Sequence, residues 1–208
     1  GAPDIETDGG PAQGLCGSGH PRVRIGIFRD AAFQFYYPEN LEALEREGAS
    51  LGEISPLRDS GVGEVDALYI GGGFPETLAP TLADNTAFRA SLRRSIESGL
   101  PVYAECGGAV FLGEKLLFEG KSYDMVGALP VVFGFSAKPK GHGYTVLETV
   151  GENPFFPVGE TIRGHEFHYT YMESHSTDDL RFAFRVQRGF GFEGERDGLC
   201  CHNVLASY

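Results

Sequence analysis

No run of apolar residues in this sequence approaches the roughly 20 that a membrane-spanning helix needs, which excludes a helical membrane protein. No Cys-x-x-Cys pair occurs. The four cysteines stand at positions 16, 106, 200 and 201, and adjacent Cys200 and Cys201 cannot close an ordinary unstrained disulfide. A reducing cytoplasm is therefore the expected setting. Basic residues are in short supply, 17 Lys and Arg against 29 Asp and Glu, for a net charge of −12. A field of that sign repels phosphate backbones and argues against nucleic acid as a partner. No phosphate loop precedes Val23, and no Gly-Lys-Ser or Gly-Lys-Thr follows the Gly71-Gly72-Gly73 turn. Residues 1–21 carry neither the basic start nor the apolar middle of a signal peptide, and they begin without Met. They read as a Gly/Pro-rich linker at the front of a piece of a longer protein. There is no internal repeat and no low-complexity tract.

What is present suffices for one soluble domain with a full core: 208 residues, 41% apolar and 22% charged. Residues 23–28 are almost continuously apolar, the mark of a strand buried on both faces. Pro38 suits a helix start, Leu41 and Leu44 its apolar face, and Gly48 its C-terminal cap. Ser50–Ile54 and Ala67–Ile70 read as strands. Residues 85–98 read as a helix with Phe88, Leu92 and Ile96 on one face and Gly99 closing it. A strand at 101–104 leads into a helix at 109–117. This rhythm predicts an α/β domain over 22–208, an open, mostly parallel sheet with helices on both faces. Runs at 145–150, 161–171 and 181–187 predict further strands, partly antiparallel.

Three segments carry chemistry. A buried strand ends at Ala104, Glu105-Cys106-Gly107-Gly108 follows, and a helix begins. Sites of open α/β sheets lie at such strand ends, and a sharp turn there lifts a side chain above the sheet. A helix N-terminus under the thiol is expected to lower its pKa, and the Gly107 amide can face a developing oxyanion. Gly71-Gly72-Gly73-Phe74-Pro75-Glu76 ends another buried strand, and its bare amides can complete that hole. Gly72, Gly73 and Gly107 are the expected donors, and the loop is expected beside Cys106. Gly164-His165-Glu166-Phe167-His168 is one residue short of the His-Glu-x-x-His zinc motif. On a strand, Glu166 and His168 share one face while His165 and Phe167 share the other, so the two histidines do not converge and no metal is expected. Glu166 with His168 either lines the site or forms a structural pair.

Arg29-Asp30-Ala31-Ala32-Phe33, Phe35-Tyr36-Tyr37, Asn40-Leu41, Ser55-Pro56-Leu57-Arg58-Asp59, the glycine loop, the Cys106 turn and the Gly164–His168 segment together resemble, in order and spacing, the cobyrinic acid a,c-diamide synthase family. The resemblance runs from about Val23 to Tyr208. It implies a class I-like glutamine amidotransferase domain on a flavodoxin-like sheet, with Cys106 as nucleophile and L-glutamine as substrate. Ammonia would pass to an N-terminal synthetase domain that uses ATP and Mg to amidate carboxylates of a tetrapyrrole, the glutaminase domain itself needing no cofactor. A homodimer is compatible with this reading. The family's catalytic histidine lies just past an Ala-Ser-Tyr segment. Here Ala206-Ser207-Tyr208 closes the sequence, so the resemblance implies a domain cut short at its C-terminus, with His168 the one residue present that could stand in. Two other readings share the turn. One is a cysteine hydrolase or chaperone-like protein whose thiol is tuned by Glu76 or Glu105; the other is a non-catalytic binding domain. Glutamine turnover separates the first, and thiol labelling by a glutamine-mimicking electrophile the second.

Overall fold

Residues 23–176 and 180–208 are described by the computed structural model; the stretch expected as a linker, with Cys16, lies outside them. The first strand, β1 (Arg24–Phe28), sinks Ile27 and Phe28 into the core. The aromatic segment after it forms a short strand, β2 (Phe33–Phe35), before α1 (Pro38–Arg46). Then follow β3 (Ser50–Ile54), β4 (Ala67–Ile70), β5 (Gly72–Gly73), a 3-10 turn over Pro75–Leu78, α2 (Ala79–Asp84) and α3 (Thr86–Glu97). Asn85 caps α3 by accepting from the Phe88 amide at 3.2 Å, and Phe88, Leu92 and Ile96 are fully buried, as their spacing of four predicts. After β6 (Val102–Glu105) and α4 (Gly107–Leu112), nine strands follow among the described residues: β7 (Lys115–Phe118), β8 (Lys121–Asp124), β9 (Val131–Phe135), β10 (Gly141–Thr149), β11 (Thr161–His168), β12 (Thr170–His175), β13 (Arg181–Arg188), β14 (Arg196–Cys201) and β15 (Val204–Ser207).

The main sheet has nine strands in the order β11-β10-β13-β14-β15-β6-β4-β1-β3. From β15 to β3 all pairings are parallel, and from β11 to β15 all are antiparallel. The antiparallel strands thus form a part as large as the parallel one. A second sheet, β12-β9-β7-β8, and a ribbon of β2 with β5 complete the fold. Phe28, Phe33, Phe88 and Phe111 form the centre of the core, with Phe33 against Phe111 at 5.4 Å between ring centroids.

Two local expectations are corrected. The helix expected over 109–117 ends at Leu112, and Lys115–Phe118 is a strand. Gly113 turns to extended backbone, and the Phe133 ring lies 2.8 Å from where its Cβ would be, so the chain leaves the helix there. Leu116 then finds partners in β8 and β9, a tertiary choice that a short apolar run does not reveal. The run at 161–171 breaks at Tyr169: β11 stays in the main sheet while β12 crosses into the second.

Candidate active site

Cys106 sits between β6 and α4 with φ 50° and ψ −107°, in the left-handed region that a side chain rarely adopts. Such backbone costs about 1–3 kcal/mol and persists only where its surroundings impose it. Here they do. The Cys106 amide donates to Ser207 O at 2.7 Å, extending the parallel β6–β15 ladder by one bond. On the other side, α4 is buried along its whole length. The turn points the thiol out of the sheet, where Sγ lies 3.8 Å from Phe167 O of β11. Since β11 is the far edge strand of the sheet, its antiparallel part curls back over the ends of the parallel strands.

The glycine loop lies against this turn. A Cβ on Gly107 would sit 2.8 Å from Gly73 O and 3.0 Å from Gly73 N, and one on Gly72 would be 3.7 Å from the Cys106 Cβ. Gly73 itself has no room for a side chain, because Ala32 O would be 1.9 Å from its Cβ. Tyr36 fixes the start of the loop: its hydroxyl donates to Phe28 O at 2.6 Å and accepts from the Gly71 amide at 2.9 Å. Asp30 braces the segment before it, accepting from the Ser55 hydroxyl at 2.9 Å and the amides of Leu57 and Ala32. Two of the segments that carry the resemblance, 29–33 and 55–59, are therefore scaffolding that holds the loop in place.

Cys106, Gly72, Gly73, Gly107, Glu76, Glu105 and His168 all face one cavity of about 1510 Å³. Phe35 and Phe74, paired edge to face at 5.2 Å and half exposed, stand on its rim. The thiol's protonation differs from expectation. Burial pushes Cys106 up to about 12, the Gly107 amide pulls it down, and the carboxylates of Glu76 and Glu105 push it further up. A helix of six residues gives too little field to offset apolar enclosure and two carboxylates. Burial also raises Glu76 and Glu105; Glu105 is partly relieved by the Tyr69 hydroxyl, which donates to it at 3.0 Å.

Glu166 and His168 point to the buried side of β11, and His165 and Phe167 outward, as the strand alternation predicts. Glu166 lies behind His168, which lines the cavity. Its carboxylate accepts from the amides of Phe190 and Gly191 at 2.7 and 3.2 Å and faces His168 Nε2 at 3.6 Å. Burial alone would raise Glu166, but His168 and those amides outweigh it and hold its pKa down. His168 lies flat on the Tyr208 ring, 3.5 Å between centroids, and its Nδ1 donates to Thr170 O at 2.8 Å. Neither ring nitrogen is bonded to the thiol. Among the described residues, no three His, Cys, Asp or Glu side chains gather as a metal site requires. Sequence reasoning gave no role in the site to Asp197, Ser207 or Tyr208: Ser207 O takes the Cys106 amide, the Tyr208 ring lies on His168, and Asp197 is buried in β14. Asp197-Gly198 has the look of an ordinary turn, so no local signal marks it.

The profile of the CobB/CobQ-like glutamine amidotransferase domain matches residues 24–208. A cobyrinate a,c-diamide synthase of Magnetococcus marinus is 44% identical over 186 residues, 89% of this chain and 40% of that protein. One from Archaeoglobus fulgidus is 42% identical, with the same coverage of both. The chain thus spans about two fifths of the length of these curated relatives. Among solved structures, PurLQS from Thermotoga maritima superposes with a TM-score of 0.65 at 18% identity, covering 89% of this chain and 85% of that one. A glutamine amidotransferase gives 0.62 at 22% identity, covering 88% and 87%. At these identities the likeness is one of fold.

Proposed function

Because this chain belongs to the CobB/CobQ-like glutamine amidotransferase domain family, we propose that it hydrolyses L-glutamine at Cys106 and delivers the ammonia to an ATP-dependent synthetase that amidates tetrapyrrole carboxylates. The observation that carries this reading is the strained Cys106 turn packed against the Gly73 backbone at the mouth of the cavity. The Cys106 sulfur attacks the side-chain carbonyl carbon of glutamine, and the Gly107 and Gly73 amides hold the oxyanion. Collapse breaks the C–N bond, and ammonia leaves with a proton from a general acid. Water then cleaves the thioester, releasing glutamate and restoring the thiol. With burial pushing the thiol up to about 12, very little of it is ionised at pH 7, so the attack depends on a base.

By resemblance that base is a histidine following Ala206-Ser207-Tyr208. The position is apt, since β15 runs parallel to β6 and ends beside Cys106. The synthetase, its ATP and Mg, the tetrapyrrole and a cytoplasmic setting are part of the same proposal. No helix among the described residues is long and apolar enough to cross a membrane.

The test compares glutamate release by the 208-residue chain with that by the chain extended through the family's histidine, each with and without Cys106→Ser. General acid/base assistance is worth ~10²–10⁴-fold, so the extended chain is expected to be faster by at least about 10². Cys106→Ser should abolish turnover in both. Turnover that survives Cys106→Ser overturns the nucleophile.

A further inference from the structure

Three glycines in succession give the loop no side chains of its own with which to hold its place, so its course is set by what it lies against. Gly71, Gly72 and Gly73 are all buried. A Cβ on Gly71 would meet Phe35 O at 2.6 Å and the Tyr36 ring at 2.7 Å, so the backbone lies flat on that ring. The ribbon of β2 and β5 pairs Gly73 with Phe33 and Gly72 with Phe35, and its register shifts between the two. So short a ribbon holds its position weakly by itself.

The Tyr36 hydroxyl gathers three segments of chain. It accepts from the Gly71 amide at 2.9 Å and donates to Phe28 O, at the end of β1, at 2.6 Å. Tyr69 O of β4 lies 3.3 Å away as a second acceptor. Below the hydroxyl, the Tyr36 ring packs edge to face on Tyr69 at 5.1 Å, and the Tyr69 hydroxyl donates to Glu105, the residue before Cys106. β4 is in turn the parallel neighbour of β6, the strand that ends in the Cys106 turn. The two walls of the oxyanion hole thus share one anchor. Burial raises the Tyr36 hydroxyl to about 12, so it stays protonated at neutral pH and both donates and accepts.

We propose that Tyr36 is a positioning residue for the oxyanion hole: its hydroxyl ties the Gly71 amide to the ends of β1 and β4, and so sets the place of the Gly73 amide relative to the Cys106 sulfur. This inference rests on the glutaminase reading of the site. Negative charge appears on the glutamine carbonyl oxygen only as the sulfur attacks, so a displaced hole weakens the transition state and not the bound substrate. With its hydroxyl occupied by backbone groups, Tyr36 acts through the loop.

The experiment uses the chain extended through the family's histidine, as the parent and as Tyr36→Phe and Gly71→Ala. It measures kcat and KM for glutamine, Cys106 alkylation by iodoacetamide, and hydrogen exchange at the residue 71 amide. Tyr36→Phe keeps the ring on Tyr69 and removes only the hydroxyl. It should lower kcat about 10-fold or more with KM within about 3-fold, since outright loss of one oxyanion donor costs ~10²–10³. Alkylation displaces iodide and builds no oxyanion, so its rate should stay within about 2-fold. The Gly71 amide should exchange about 10-fold faster, while the amides of β3 are unchanged. Gly71→Ala, whose methyl meets the same ring, should also lose kcat with KM held. A parent-like kcat or an unchanged Gly71 amide in Tyr36→Phe, a loss carried by KM alone, or alkylation slowed as much as turnover overturns the proposal while leaving the glutaminase reading in place. A parent that turns over no glutamine overturns that reading, and this inference with it.

Discussion

Two carboxylates and an apolar wall keep the Cys106 thiol protonated, and each can be changed singly. Glu76 and Glu105 both push the thiol upward. Glu105→Gln or Glu76→Gln should therefore lower its pKa and move the rise of Cys106 alkylation to lower pH, read by site-resolved mass spectrometry with iodoacetamide. An unmoved curve in both would leave burial as the whole cause. Gly107 has a different vulnerability. In Gly107→Ala the new methyl would meet Gly73 O at 2.8 Å and the Pro75 Cδ at 2.9 Å, both in the loop that forms the other wall. Overpacking of this kind costs about 1–3 kcal/mol, seen as a lowered urea midpoint. Glutamine turnover should fall further than stability, because the displaced loop carries the oxyanion donors.

At the scale of elements, the helices differ in how much they hold. α3 buries Phe88, Leu92 and Ile96 completely, while α1 buries no residue. Leu92→Ala should cost about 2–5 kcal/mol in chemical denaturation, since it opens a cavity beneath the sheet. Leu41→Ala on α1 should stay within about 1 kcal/mol. If the two prove equal, the core has been drawn on the wrong side of the parallel strands. These elements were legible because buried strands and a four-residue apolar spacing announce themselves locally. β7 was not, because Leu116 and Leu117 fit a helix as well as a strand, and only the Phe133 ring against Gly113 decides between them.

Across the whole molecule, three acids raised by burial, Asp197, Glu76 and Glu105, weaken the fold as pH rises, Asp197 the most. Its pKa is about 7 folded against an ordinary 3.8, so between these values the folded state binds more protons than the unfolded one. Stability should fall as pH rises from about 4 to about 7, by up to a few kcal/mol, and level off above. Glu166, held low, acts the opposite way, and its contribution is lost only as pH drops through its own folded range. The urea midpoint of the parent should show the decline, and that of Asp197→Asn should lose most of it; a flat parent curve removes the assignment. By itself, the sequence determined the alternating elements, the turn at Cys106, the glycine loop and the family, because each is written in contiguous residues. Only the tertiary structure decided the protonation of the thiol and the buried places of Glu166 and Asp197. Those depend on desolvation and on contacts far apart in the chain, 61 residues for Cys106 with Phe167, 101 for Cys106 with Ser207 and 24 for Glu166 with Phe190, which no local pattern encodes.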